Sequence, residues 1–289
     1  MKKHPSSSLI CPVCSGGVKY LFEKKTFHIF KCRNCGLGFL DPLPTFEEIE
    51  SLYNSKNYYH SEGIGYMDYS ILEEGYKKMY KKFLRDIEEK YDFTVRDKNI
   101  LDIGCAYGFF LDVAKEAGAS ELWGTDITAA SEKIVLDKEY KFLRGAFEVL
   151  EVPENYFDLI FMGDVFEHLF DPFEAVKKLY AILKPGGIII LTTINFNSLF
   201  VKVMRKNWRL LIPPEHIYYW TKESVRILFN KNRLEGICKG YTLFIPKKYL
   251  LERFKQQFSF NPLIHKLIPF TIIPIRSFDT IECVFQKRL

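Results

Sequence analysis

Residues 99–111 read NILDIGCAYGFFL, and this stretch decides the fold class. Its apolar first half predicts a buried strand, and its apolar second half predicts the first turns of a helix. The connecting turn has the pattern Asp102-x-Gly104-x-x-x-Gly108, in which glycines let the backbone approach a ligand closely and the following helix offers its N-terminus. A strand, a glycine turn and a helix in this order predict the start of a βαβ unit.

The same turn disfavours a dinucleotide ligand. A dinucleotide fingerprint would require glycine where this chain has Ala106 and Phe109. The next strand, ELWGTD at residues 121–126, ends in Asp126, eighteen residues after Gly108. A carboxylate at the tip of the second strand can accept hydrogen bonds from both hydroxyls of a ribose. The pattern therefore predicts a ligand that contains a ribose but no pyrophosphate.

Three regions of the chain differ in composition and in hydrophobic pattern. Residues 1–40 are short, β-like and punctuated by cysteine and glycine, and residues 41–97 read as a helical linker or lid. From residue 98 to residue 289, strand-like runs alternate with helical runs, which predicts a doubly wound α/β sheet. We expect residues 195–220, a long insert after the fifth strand of that sheet, to be a lid or a specificity element.

Four cysteines in the first region have the spacing of a metal site. Cys11 and Cys14 form one C-x2-C pair, and Cys32 and Cys35 form a second pair seventeen residues later. Two such pairs predict a tetrahedral zinc site of four thiolates. Because four thiolates fill the coordination shell, this zinc is expected to be structural. A redox role is disfavoured because neither pair opens a helix after a strand.

Composition and charge narrow the function classes. A net charge of +5, with the basic residues scattered among acids, disfavours nucleic acid as the partner. The N-terminus lacks the apolar run of a secretory signal, so we expect a cytoplasmic protein whose seven cysteines are reduced. The basic, apolar segment 246–275 is a candidate for peripheral membrane contact, with a substrate cap or a dimer contact as the alternatives.

Five motifs occur in a characteristic order: ILDIGCAYG, the acid Asp126, FDLI, DVFEHLFDP and LKPGG. Together, over about 190 residues, they resemble the class I methyltransferases that depend on S-adenosylmethionine. The resemblance implies a Rossmann-like sheet of six parallel strands and one antiparallel strand, with S-adenosylmethionine as the cofactor.

The resemblance also implies the cofactor residues, which are expected at the carboxyl ends of the strands. They are Asp102, Gly104, Cys105, Gly108, Asp126, Ile127, Phe147 and Asp164. The glycine turn would surround the methionine moiety, Asp126 would bind the ribose and Ile127 would pack on the adenine. Asp164 would lie near the methionine or the substrate. Relatives often carry an acid for the adenine amine where this chain has Gly-Ala-Phe-Glu, so either Phe147 stacks on the base or backbone groups serve instead.

Methyl transfer to a hydroxyl or a carbon acid needs a general base. Two candidates are His168 and His216, each also interpretable as a histidine that ties loops together. The string EHIYYW, with Glu215 before His216, resembles deoxysugar C-methyltransferases that carry a four-cysteine zinc module and act on nucleotide-linked ketosugars. By that resemblance His216 is the base, Glu215 its partner, and Tyr58 or Tyr59 an auxiliary. The additional C-terminal domain of those enzymes is not matched, so O- and C-methylation both stay open.

The acceptor is therefore expected to be a small molecule or a sugar, such as a nucleotide- or lipid-linked sugar. Arg205, Lys206 and Arg209 in the insert are candidates to contact a phosphate of such a carrier, or are ordinary solvated charges. One alternative is a ribosomal RNA methyltransferase whose ribbon grips RNA. It is disfavoured because no basic stripe with interleaved aromatics is found. A second alternative is a binding module without catalysis.

Overall fold

The structure is a computed structural model, and it describes residues 9–45, 47–49, 72–246 and 272–288. Tyr58 and Tyr59 lie outside the described residues, as do residues 247–271 of the segment proposed for membrane contact. In the described part, no helix is both long enough and apolar enough to span a bilayer.

Three sheets account for the β-strands of the described residues. The strands are β1 (Val18–Lys24), β2 (Phe27–Cys32), β3 (Gly38–Asp41), β4 (Asn99–Ile103), β5 (Glu121–Asp126), β6 (Lys141–Arg144), β7 (Phe157–Gly163), β8 (Leu183–Ile194), β9 (Tyr218–Tyr219), β10 (Leu234–Lys239), β11 (Thr242–Pro246), β12 (Ile272–Arg276) and β13 (Thr280–Lys287). A separate hairpin pairs β11 with β12.

The helices of the described residues lie mostly between the sheet strands. They are α1 (Glu73–Tyr91), α2 (Phe109–Glu116), α3 (Ala129–Asp137), α4 (Pro172–Ile182), α5 (Leu199–Met204) and α6 (Lys222–Lys231). A 3-10 turn, Arg205–Asn207, follows α5.

The central sheet has seven strands in the order β10-β13-β8-β7-β4-β5-β6. Neighbours from β8 to β6 pair in parallel, and β13 runs antiparallel to both β8 and β10. The predicted arrangement of six parallel strands and one antiparallel strand is confirmed. It places the carboxyl ends of the parallel strands, where ligands bind in such folds, along one edge.

Both faces of the sheet are covered. Along β4, Ile100 packs with α1 and α2, whereas Leu101 and Ile103 pack on the other face with α4. Side chains of successive strand residues point to opposite faces, so a strand buried on both sides reads as a continuous apolar run. This explains why Ile100, Leu101 and Ile103 are all apolar, with Asp102 as the buried polar exception.

The cysteine region forms a second sheet with the methyltransferase-like part of the chain. Its strand order is β1-β2-β3-β9, and β9 is Tyr218–Tyr219 of the insert. Gly38 and Phe39 pair with Tyr219 and Tyr218, respectively. At Gly38 a Cβ atom would lie 2.5 Å from the Phe196 ring, so only glycine lets these elements approach this closely. The ribbon is thus continuous with the insert.

One expectation about the cysteines is corrected. Cys238 of β10 and Cys283 of β13 are register partners and form a disulfide, whereas all seven cysteines were expected to be reduced. The reason is the pairing of these strands, which sets two residues distant in sequence directly opposite each other. The other five cysteines are free.

Candidate active site

The glycine turn after β4 forms a concave backbone surface. Gly104 and Gly108 both have a φ of +69°, a conformation that favours glycine. A Cβ atom at position 104 would lie 2.2 Å from Val165 Cγ2. Gly108 is also the N-cap of α2. The absence of a side chain at position 104 lets Val165 pack against the turn, and the turn leads directly into the N-terminus of α2.

Asp126 is held at the tip of β5 by backbone donors. The N–H of Ala106 donates to its Oδ2 at 3.1 Å, and the N–H of Thr128 donates to its Oδ1 at 3.0 Å. Burial raises the pKa of this carboxyl. Each oxygen has a further lone pair, so the carboxylate can still accept bonds from two ribose hydroxyls.

A second acid lies on the neighbouring strand. Asp102 is buried, and burial together with the charge of Asp126 raises its pKa well above the usual range. Two buried carboxyls favour a ligand with positive charge, such as the sulfonium and amino groups of S-adenosylmethionine. Cys105 instead turns inward: its Sγ would lie 2.7 Å from a Cβ at Gly124, so its side chain packs in the core.

At the end of β7, Asp164 faces solvent in a left-handed conformation with a φ of 54°. Its N–H donates to the Thr192 carbonyl at 3.0 Å, and the Thr192 hydroxyl donates to its Oδ1 at 3.0 Å. These bonds hold the carboxylate at the same edge of the sheet as the glycine turn.

His216 is buried, and its Nδ1 lies 2.8 Å from the Leu210 carbonyl oxygen. Because a carbonyl can only accept, Nδ1 carries the proton and Nε2 keeps its lone pair. Burial, followed by the neighbouring His168, lowers the pKa of His216 well below its usual value. The ring is therefore neutral at pH 7, as a general base must be.

His168 lies edge-on to His216, with ring centroids 4.6 Å apart and an interplanar angle of 84°. Its Nδ1 lies 3.0 Å from the carbonyl oxygen of Glu215, and burial lowers its pKa to about 4. The backbone carbonyl of Glu215 thus orients His168, and that of Leu210 orients His216, while the role of Glu215 as the partner of His216 stays a prediction.

Glu167 completes this cluster, and sequence reasoning did not select it. Its side chain is buried, accepts a hydrogen bond from the Thr193 hydroxyl at 2.7 Å, and has a pKa raised to about 8 by burial and then by Asp164. Ligand atoms of Glu167, His168 and His216 lie within 4.8 Å of one another, a donor set that also suits a divalent transition metal. In the sequence, the Glu-His pair in DVFEHLFDP could have identified Glu167 as a candidate.

Residues 74–239 match a family model described as a methyltransferase domain. The chain belongs to this methyltransferase family. Solved S-adenosylmethionine-dependent methyltransferases share its fold. The structure of a possible histamine N-methyltransferase from Thermotoga maritima superposes with a TM-score of 0.52 at 15% identity, covering 76% of this chain and 93% of that one.

Curated relatives differ in the acceptors that their names state. The methyltransferase is 33% identical over 114 residues to the tRNA U34 carboxymethyltransferase of Helicobacter acinonychis (strain Sheeba), covering 36% of this chain and 44% of that protein. It is 30% identical over 112 residues to the ubiquinone biosynthesis O-methyltransferase of Pseudomonas entomophila (strain L48), covering 36% and 47%. The matches thus span less than half of each relative.

Two residues were predicted as candidates to contact the adenine, and one of them is exposed and the other buried. Ile127 is 40% exposed, so a base can pack on it. Phe147 is buried, and the Lys178 ammonium lies 4.8 Å from its ring centroid. Stacking of the adenine on Phe147 and contact through backbone groups both stay predictions.

The four ribbon cysteines of the methyltransferase converge. The Sγ atoms of Cys11 and Cys35 lie 3.6 Å apart and those of Cys14 and Cys32 lie 3.4 Å apart, and all four lie within 4.8 Å of one another. Zinc–sulfur bonds of about 2.3 Å in a tetrahedron place sulfurs about 3.8 Å apart. The four-cysteine cluster fits a small zinc ribbon.

Proposed function

We propose that this methyltransferase methylates an oxygen or a carbon acid of a small-molecule acceptor, with a nucleotide- or lipid-linked sugar as the acceptor class. The observation that carries the proposal is the buried cluster of Glu167, His168 and His216 beside the carboxyl ends of β7 and β8. A neutral imidazole with its lone pair held in place is what the removal of a proton from a hydroxyl or an activated C–H requires.

When bound, S-adenosylmethionine supplies a methyl group that is already activated on a sulfonium. The protein must align the acceptor and exclude water. In this proposal Asp102 and the turn of Gly104 and Gly108 hold the methionine moiety, Asp126 holds the ribose, and Asp164 faces the reacting groups. Elsewhere on the cofactor, Cys105 supports the turn by packing, and Ile127 covers the adenine.

His216 takes the proton of the acceptor at Nε2 in this mechanism, and the Leu210 carbonyl keeps Nδ1 protonated and the ring oriented. His168, oriented by the Glu215 carbonyl, is the second candidate for the same step. Glu167 is protonated at pH 7 because its pKa is about 8, so it can donate a hydrogen bond to a developing oxyanion or enolate.

Zinc is proposed to be structural and to position His216 indirectly. Four thiolates leave no open coordination site. The ribbon strand β3 pairs with Tyr218 and Tyr219, two and three residues after His216. The Thr221 hydroxyl donates to the Cys35 carbonyl at 2.7 Å. Folding of the ribbon around zinc therefore supports the segment that carries the base.

RNA is a second candidate acceptor, and the match to a tRNA carboxymethyltransferase favours it. Against it, the ribbon sheet buries Phe27, Phe30 and Phe39, and Tyr20 is the one exposed aromatic side chain on its described strands, rather than part of an extended stacking surface. A base-modifying enzyme would need such a surface in addition to cations.

The test is a transfer assay with zinc-loaded protein and S-adenosylmethionine labelled in its methyl group. Acceptors are nucleotide-linked hexoses and ketohexoses, phenolic quinol precursors, and bulk tRNA, each with an Asp126→Ala control. We expect label in a nucleotide-linked sugar. Label only in tRNA or only in the phenol, dependent on Asp126, would contradict the sugar proposal.

A further inference from the structure

A cleft of about 780 Å³ lies between the ribbon and the methyltransferase sheet. Its volume is within the range of about 300–1,000 Å³ that is usual for small-molecule sites. The lining combines ribbon residues with residues after β8 and at the start of α6; they are Lys19, Lys31, Cys32, Arg33, Asn34, Cys35, Gly36, Asn195, Asn197, Thr221, Lys222 and Glu223. Two segments distant in sequence thus share one concave surface.

The side chains that line the cleft carry mostly positive charge. Among the described residues, none of the four lining cations forms an ion pair, and the one lining carboxylate, Glu223, is paired with Arg226 at 2.9 Å. Lys19 and Lys31 are direct cross-strand partners on β1 and β2. Like charges directly opposite each other destabilise a sheet, so their retention calls for a compensating role.

Polar neutral groups complete the lining. The side-chain amides of Asn34, Asn195 and Asn197 stand beside the cations, and α6 presents the positive end of its dipole with Lys222 as its first residue. Lys31 is fixed by the Phe196 ring, whose centroid is 5.0 Å from its Nζ. Several charged and amide donors around one small space suit an anion with many acceptor oxygens.

The cleft also borders the reacting end of the sheet. Asn195 follows β8 two residues after Thr193, whose hydroxyl donates to Glu167. The cleft is therefore two residues along the chain from a contact of the proton-handling cluster.

We propose that the cleft is an anion subsite that holds the diphosphate of a carrier-linked acceptor, while the sugar reaches Glu167 and His216. The identity of the ligand rests on the proposed function, whereas the test of the subsite, which measures the binding of pyrophosphate, does not. Diphosphate could come from a nucleoside diphosphate or from a lipid diphosphate. The helix α5, which begins at the cleft after Asn197, exposes the apolar side chains of Leu199 and Val203 and would contact only the lipid.

The zinc-loaded full chain is titrated calorimetrically with inorganic pyrophosphate at low salt. We expect the double variant Lys31→Gln, Arg33→Gln to weaken binding at least about 10-fold, because it removes two of the four cations that line the cleft. A matched control, Lys141→Gln with Lys177→Gln, removes two exposed cations outside the cleft and should change the affinity less than about 2-fold.

Four thiolates around zinc carry excess negative charge, so the cations could instead serve the metal. Lys222 separates the two roles because it belongs to α6 and not to the ribbon. Lys222→Gln should weaken pyrophosphate binding about 3-fold or more with an unchanged zinc content. Loss of zinc from the variants together with unaltered pyrophosphate affinity in Lys222→Gln would overturn the proposal, as would wild-type protein that does not bind pyrophosphate.

Competition distinguishes the sources of the anion. Displacement of pyrophosphate by uridine diphosphate indicates a nucleotide carrier. Displacement by farnesyl diphosphate, weakened by Leu199→Ser, indicates a lipid carrier. Tighter binding of a single-stranded RNA oligonucleotide that depends on Lys31 and Arg33 would replace the subsite by an RNA surface. If pyrophosphate binds as expected but no linked sugar is methylated, the subsite stands and the proposed acceptor fails.

Discussion

Replacement of His216 by asparagine separates the proposed role of His216 as a base from its hydrogen bond to the Leu210 carbonyl. In the protein, Nδ1 donates to the Leu210 carbonyl over 2.8 Å, and the side chain is buried. Asparagine places an N–H₂ group where His216 has Nδ1 but nothing where it has Nε2. His216→Asn therefore keeps the Leu210 bond and removes the proposed base.

The expected losses of stability and of activity differ between His216→Ala and His216→Asn. His216→Ala leaves the buried carbonyl without its donor, which costs about 1–3 kcal/mol, and adds a cavity, so lost activity would be mixed with lost stability. His216→Asn keeps the donor to the Leu210 carbonyl and leaves a smaller cavity than alanine. For a general base we expect kcat to fall about 10²–10⁴-fold, equivalent to about 3–5 kcal/mol of activation free energy.

The assay combines three measurements on the Asn variant. Turnover should fall at least about 100-fold, the affinity for S-adenosylhomocysteine should change less than about 3-fold, and the melting temperature should stay within a few degrees of wild type. Because the pKa of His216 is lowered, wild-type kcat should lack an acid limb near pH 6.5, the ordinary histidine value. A variant that keeps more than about a tenth of wild-type kcat refutes the assignment, and His168→Asn becomes the next substitution.

Further outcomes follow from the same geometry. Asp126→Ala should weaken S-adenosylhomocysteine binding at least about 10-fold by calorimetry, and unchanged affinity would remove Asp126 from the cofactor site. Gly104→Ala should lower stability by about 1–3 kcal/mol in thermal melts because its Cβ meets Val165, whereas Gly17→Ala, with open space around it, should have no such effect. Glu167 has a folded pKa raised to about 8, so its contribution to stability is present below the unfolded pKa of about 4.3 and is lost as the pH rises through 8. Glu167→Gln should therefore gain stability relative to wild type as the pH rises over that window, and a constant difference in unfolding free energy would contradict the raised pKa. Chelation of zinc should abolish turnover before it abolishes S-adenosylhomocysteine binding, and loss of both in parallel would show that the ribbon supports the whole fold.

The cofactor turn could be predicted from sequence because its determinants are local. Gly104 and Gly108 are four residues apart, and the strand tip with Asp126 is read from one short apolar run. The same holds for the cysteine pairs, whose spacing alone specifies two knuckles. In each case a few neighbouring residues fix both the backbone conformation and the chemistry.

The proton-handling cluster could not be predicted in this way. Glu167 became a candidate only when β8 placed Thr193 against it and the insert placed His216 beside His168. The role of Glu215 is carried by its backbone carbonyl, which side-chain identity does not reveal. The disulfide likewise depends on the register of β10 with β13. These features result from contacts between distant segments rather than from any motif.

The pairing of the ribbon with the insert suggests a structural role for the zinc module. A four-residue strand, β3, cannot hold its register without the metal, because small zinc modules fold only when the metal is bound. Yet β3 is the only ribbon strand that pairs with the described residues of the insert, through Tyr218 and Tyr219. Those two residues immediately follow the segment of His216, and Ile217 donates its N–H to the Glu167 carbonyl at 2.9 Å. The ribbon, the base and the acid are therefore linked by backbone hydrogen bonds over a few residues. In the proposed mechanism, metal binding at the ribbon would thus set the geometry of the proton-handling cluster without any contact between zinc and substrate.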